Sequence, residues 1–222
     1  VCSSDLGSEL RKEILRSAPV VDKEKTKILN EFFSELNYDG NTKLYVVRAD
    51  EFNAFALPDN SIFVLSKVLD DVKTYPQLAA LLGHEYAHIK YRHSMKTLGQ
   101  ALSWELLASI FSDNSSDNFV RNANKLLSLK NSRAFETQAD KGGLELLEQN
   151  HIDLNGMVEM FEIMEQLPKK GNEPPTYLST HPDTEDRLQA TKDELKGMKN
   201  NFTDNSKLDE LFNELTAKHD NY

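Results

Sequence analysis

Between residues 81 and 94 the chain reads LLGHEYAHIKYRHS, with histidines at 84 and 88 and a glutamate directly after the first. Apolar residues recur here at helical spacing, and positions four apart on a helix are rotated by about 400°, so His84 and His88 project from one face. Two imidazole nitrogens one turn apart can reach a single metal ion, and Glu85 stands beside it, where a carboxylate can take a proton from a bound water. The same five-residue pattern also arises by chance on core helices. A third ligand decides between the two readings, because catalytic zinc usually takes three protein ligands and leaves one position open.

The stretch NSRAFETQADKGGLELL (131–147) offers one. Glu136 and Asp140 lie four apart on an expected helix, so the first could coordinate zinc while the second accepts a hydrogen bond from the far ring nitrogen of a ligand histidine. Taken alone, such a pair is more often a solvated helix face. Beside HEYAH it becomes the second of two metal helices.

These helices need a scaffold, and the rest of the chain predicts one. VVDKEKTKILNEFFSELNY (20–38) is an amphipathic helix ending at an Asp39-Gly40 turn; KLYVVRA (43–49) is a strand; NAFALPDNSIFVLS (53–66) is a β-hairpin at a sheet edge. Helices follow over 66–73, 77–94 and 97–111, then a polar loop at 112–118 and a long helix over 118–149, with a break near Lys130-Asn131. A helix over 154–167 carries Met157, Met160 and Met164 at core spacing, as Trp104 also suits the core. The proline-rich 168–187 is an irregular loop, Asp183 or Thr184 caps a helix over 184–198, and a polar linker leads to a helical tail at 200–222. The expected architecture is α+β and mostly helical, a single domain over residues 1–222.

Composition narrows the function classes. With 26 basic and 36 acidic residues the formal charge is −10, and no basic block could neutralise a phosphate backbone, which argues against nucleic acid. The most apolar stretch, 101–111, is interrupted by Glu105 and falls short of the roughly 20 residues a membrane span needs. No signal peptide is expected in the chain as given. The opening VCSSDL matches the translated end of a common sequencing adapter; alternatively Cys2 bears the lipid of a lipoprotein tether. The sole cysteine excludes an internal disulfide.

Three motifs in order, GHEYAHIKYRHS, NSRAFETQAD and STHPDTEDRL, resemble the gluzincin zinc metallopeptidases related to HtpX and the CAAX prenyl endopeptidases, most closely their soluble bacterial branch typified by BepA and LoiP. The resemblance runs from residue 53 to Leu188. It implies a zincin fold, one zinc ion held by His84, His88 and Glu136, Glu85 as general base, an aspartate at the position of Asp140, and polypeptide substrates in the bacterial periplasm or envelope. It also implies that His181 of the THP motif approaches the metal, either as a fourth ligand in a latent state or near the oxyanion. Arg187 could stabilise that oxyanion or pair with a carboxylate. Asn53, Ala54, Phe55 and Ala56 resemble the rim strand to which a substrate chain adds, or are an ordinary edge strand. Tyr177 is a hydrogen-bond donor or loop packing. His93, five residues after His88, points elsewhere on the helix, to a structural or exposed position. Oligomeric state and cleavage specificity are open, and the rival to an endopeptidase is a latent, chaperone-like binding module of the same fold.

Overall fold

The computed structural model describes residues 3–17, 21–38, 41–101, 129–168 and 175–217. Trp104, the loop at 112–118 and the first part of the expected long helix lie outside the described residues. The elements are α1 (Ser3–Ser17), α2 (Lys23–Ser34), β1 (Lys43–Val47), β2 (Ala54–Ala56), β3 (Ser61–Leu65), α3 (Ser66–Asp71), α4 (Tyr75–Lys90), α5 (His93–Ala101), α6 (Arg133–Gln149), α7 (Asn155–Glu165), α8 (Thr176–Thr180), α9 (Thr184–Leu195) and α10 (Ser206–Thr216).

The sheet has the order β1-β3-β2, with β1 parallel to β3 and β2 antiparallel to it. β2 is therefore an edge strand, joined to β3 through the turn at Pro58-Asp59-Asn60, where Asn60 takes a positive φ of 65°. In the β2–β3 register, Leu65 N–H donates to Asn53 O and Leu57 N–H donates to Ser61 O. Backbone groups alternate along an antiparallel strand, so those of Ala54 and Ala56 point away from β3.

One side of the sheet packs on a core that runs from Ile28 of α2 through α4, α6 and α7 to Leu215 of α10. The expected tail helix is thus part of this core: α10 buries Leu208, Leu211, Phe212 and Leu215, each worth roughly 1.5–3 kcal/mol of apolar burial. Met157, Met160 and Met164 are buried in the same core. Helix α4 is its central rod. Proline in its first turn starts it, and every residue from Leu78 to His88 is buried, as expected of a helix surrounded on all sides.

Three expectations are corrected. The helix expected over 77–94 ends at Lys90, because Arg92 takes a left-handed φ of 55° and redirects the chain into α5. The proline-rich 168–187 is not irregular throughout: it contains α8, and residues 169–174 lie outside the described set. Asp183 stands at the N-cap of α9 without capping it, since its carboxylate pairs with Arg133 at 2.7 Å. Helix α1 had no sequence-based assignment. It lies against the hairpin turn, where Gly7 allows close approach: a Cβ there would stand 2.4 Å from Asp59 N. Arg11 pairs with Asp59 at 3.3 Å, and Leu10 packs with Leu57, Phe63 and Leu98.

Candidate metal centre

Two glycines let the helices of the centre approach. Gly83 of α4 faces Gly143 of α6, and a Cβ on Gly83 would lie 3.2 Å from Gly143 Cα, while one on Gly143 would meet Met157 Cε at 2.6 Å. Close backbone contact one position from His84 brings the side chains of α6 within reach of those of α4. The start of α6 is fixed by Ser132, whose hydroxyl accepts from Phe135 N–H, and this sets the rotation that turns Glu136 inward.

The result is a fully buried cluster. One ligand atom each from His84, His88, Glu136 and His181 lie within 4.8 Å of one another. His88 Nε2 is 3.0 Å from His84 Nε2 and 3.4 Å from Glu136 Oε1; His84 Nε2 is 3.5 Å from Glu136 Oε2. His181 Nδ1 is 3.3 Å from His84 Nε2 and 3.1 Å from Glu136 Oε2. Ligand atoms placed tetrahedrally at 2.0–2.1 Å from zinc are separated by roughly 3.3–3.4 Å, so these edges match the donor set of a tetrahedral metal site. The donors, three imidazoles and a carboxylate, suit zinc chemically.

The second set of contacts orients the first. His84 Nδ1 donates to Asp140 Oδ1 at 2.9 Å, which turns Nε2 toward the cluster as the nitrogen a metal would take; against the burial of the ring, Asp140 and Glu136 raise its pKa to about 9 when no metal is bound. Arg187 brackets Asp140, donating from Nε to Oδ2 at 2.8 Å and from Nη2 to Oδ1 at 2.6 Å, and its Nη1 lies 2.7 Å from Glu136 Oε2. Its guanidinium also lies 5.0 Å from the Phe161 ring centre. Arg187 thus makes the carboxylate contacts that one of its two alternatives called for. Burial is the largest single influence on Asp140 and opposes its charge, but the hydrogen bonds and charges of Arg187 and His84 together outweigh it and hold the carboxyl below its ordinary range.

Glu85 is 1% exposed, and burial pushes its carboxyl upward, against the pull of His181 and His84. Its Oε1 accepts from Tyr177 Oη at 3.4 Å and lies 3.6 Å from His181 Nε2. The Tyr177 ring stacks on His181, centroids 4.3 Å apart and 18° from parallel, so Tyr177 is both a donor and packing. Asn53, Phe55 and Ala56 line a cleft with Glu85, His88 and His181. Among the described residues Asn53 Oδ1 is buried without a partner there, and Ser94 Oγ donates to Ala56 O at 3.1 Å. Ala54 belongs to the core and is fully buried.

His93 is where helical extrapolation fails. It is fully buried, and its Nδ1 is 3.0 Å from His88 Nδ1, because the turn at Arg92 returns it to the centre. The signal that could have found it was chemical: the far nitrogen of His88 required an acceptor that no carboxylate supplied.

A buried cluster of two histidines and a glutamate from two helices and a third histidine from a nearby segment could hold a metal ion. The chain belongs to Peptidase family M48, whose family model matches residues 19–195. It is 31% identical over 156 residues to the mitochondrial metalloendopeptidase OMA1 of Schizosaccharomyces pombe, covering 68% of this chain and 46% of that protein. It is 30% identical to the OMA1 metalloendopeptidase of Homo sapiens over 67% of this chain and 31% of that protein. The putative beta-barrel assembly-enhancing protease of Vibrio cholerae is 24% identical over 84% of this chain and 43% of its own length. The chain thus spans less than half the length of these relatives. Among the described residues, no helix is long and apolar enough to cross a membrane.

Proposed function

We propose that this chain is the catalytic part of a zinc-dependent endopeptidase that cleaves unfolded or misassembled proteins of the bacterial cell envelope. The observation that carries the reading is the convergence of His84, His88 and Glu136 within a few ångströms, with the Glu85 carboxyl 3.6 Å from the far nitrogen of His181, the fourth member of the cluster. These three residues would hold the zinc, with Asp140 and Arg187 fixing His84 and Glu136. When bound, zinc supplies Lewis acidity toward a carbonyl and lowers the pKa of water toward neutrality. Glu85 takes the water proton and returns it to the leaving amine; its burial suits a group that must both accept and release a proton near neutral pH. An extended substrate adds along β2, where the backbone groups of Ala54 and Ala56 point away from β3 and the Ala56 N–H lies on the cleft side, and Asn53 supplies a further polar contact. The envelope assignment draws on the relatives named as beta-barrel assembly-enhancing proteases.

The position of His181 favours a resting state. Its Nδ1 stands where a fourth ligand would, its Nε2 faces Glu85, and Tyr177 from the same segment binds Glu85. Segment 176–181 therefore covers the fourth corner and the base together, and its withdrawal exposes both. The same covering would suit the rival reading, a latent binding module of this fold with little proteolysis, and cleavage by the purified protein separates the two.

The test is cleavage of an unfolded polypeptide such as casein by the purified protein, with chelation and zinc restoration. Cleavage that is lost on chelation and restored by zinc is expected. Cleavage indifferent to chelation would overturn the reading.

A further inference from the structure

Helix α6 brings more than Glu136 to the centre. Its neighbours Phe135 and Gln138 flank the pocket that holds His93. The His93 ring stacks on Phe135 with centroids 4.5 Å apart and planes 10° from parallel, and its Nε2 is 3.0 Å from Gln138 Oε1. On its other side Nδ1 meets His88 Nδ1 at 3.0 Å.

For a neutral His93, those contacts leave one consistent arrangement of protons. An amide oxygen only accepts, so His93 Nε2 carries the hydrogen that goes to Gln138. His93 Nδ1 is then a lone pair, and His88 Nδ1 must be the donor between the two rings. His88 Nε2, which faces His84 and Glu136, is left bare, as a metal ligand must be.

We propose that His93 is the positioning residue of the ligand His88, with Gln138 fixing the tautomer of His93. The proposal rests on the metal reading above. It gives the two ligand histidines chemically different supports: His84 leans on a carboxylate neutralised by a guanidinium, His88 on a neutral imidazole. The difference has an electrostatic reason. Glu85, Glu136 and Asp140 already place three carboxyls in a buried volume with Arg187 as their guanidinium, and a fourth carboxylate behind His88 would add like charge without a counter-ion. A neutral acceptor orients the ring without that cost. The acceptor arrives from outside α4 because the left-handed turn at Arg92 points the first residue of α5 back at the last ligand of α4.

The test is zinc affinity of the metal-free protein, measured by competition with a chromophoric chelator, together with the visible absorption of the cobalt(II)-substituted protein. Three variants separate acceptor from packing. His93→Phe keeps the stack on Phe135 but has no acceptor; His93→Asn loses the ring but can place an oxygen near the position of Nδ1; Gln138→Met changes an exposed side chain and removes the acceptor for Nε2. His93→Phe is expected to weaken zinc binding by about 10- to 100-fold and to shift the cobalt(II) bands. His93→Asn should recover most of the affinity, and Gln138→Met should weaken binding several-fold with the melting temperature of the metal-free protein unchanged. Wild-type affinity in both His93→Phe and Gln138→Met would overturn the proposal, as would an asparagine variant no better than the phenylalanine one. Should His93→Phe fail to fold, wild-type affinity in Gln138→Met alone overturns it. Absence of zinc binding by the wild type would instead overturn the metal reading on which the proposal rests.

Discussion

Replacing Arg187 by methionine distinguishes a guanidinium that holds the centre together from one that waits for a transition state. The side chain is 6% exposed and spans two carboxyls, with contacts of 2.6 and 2.8 Å to Asp140 and 2.7 Å to Glu136. Methionine retains much of the apolar stem beside Phe161 and removes the charge. Asp140 and Glu136 are 5% and 0% exposed, so the substitution takes the guanidinium from two buried carboxylates and leaves them His84, whose pKa they raise to about 9 against its burial, as a cationic partner. Removing one partner of a buried ion pair costs about 3–5 kcal/mol. For a chain of this size each kcal/mol moves the melting temperature by about 2–4 °C, so the metal-free variant should melt about 6–20 °C below wild type. Zinc should narrow the gap, because a bound cation gives Glu136 another partner. Acid should narrow it too. Asp140 is depressed in the folded protein, so its contribution is full above its ordinary value of 3.8 and is lost as pH falls through the lower folded value. The assay is thermal unfolding with chelator across pH. A metal-free Arg187→Met protein that melts within about 2 °C of wild type, yet turns over 10²- to 10³-fold more slowly, would refute the reasoning and return Arg187 to an oxyanion role.

Three further outcomes follow from the same geometry. His181→Ala should retain zinc and raise casein cleavage, because it clears the fourth corner and one neighbour of Glu85; a fall in turnover with the metal retained would make His181 a transition-state donor instead. Asp140→Asn should weaken zinc binding by about 10- to 100-fold in a chelator competition, and wild-type affinity would remove Asp140 from the support of His84. Ala56→Pro removes an N–H that points away from β3, so peptide cleavage should fall while zinc content stays at one per chain; wild-type cleavage by a folded variant would exclude β2 as the substrate rim.

Much of this centre was legible because its spacing is helical. His84 and His88 are four apart, as are Glu136 and Asp140, and each pair shares a face for as long as its helix is regular, which both helices are over those spans. The hairpin was legible from Pro58-Asp59-Asn60 and the apolar runs around it. What the sequence could not convey lay where local regularity stops. Five residues on a continuous helix would carry His93 to the far side of α4, but one left-handed residue at Arg92 reverses that. The two alternatives for Arg187 were equal in sequence because the choice depends on the distance between α6 and α9, a tertiary quantity. Helix α8 went unassigned because a five-residue helix behind two prolines carries little periodic signal, and α1 because its assignment depends on docking against the hairpin turn. The spacing of α4 and α6 itself rests on Gly83 and Gly143, which in sequence are only two glycines in helical patterns.

The most direct test of the account compares zinc stoichiometry and casein cleavage of the wild type and Glu85→Gln side by side. The amide keeps the shape of the carboxyl and leaves His84, His88 and Glu136 untouched, so the account predicts one zinc per chain in both proteins and cleavage only in the wild type. A Glu85→Gln protein that cleaves casein at the wild-type rate with its zinc in place would contradict it.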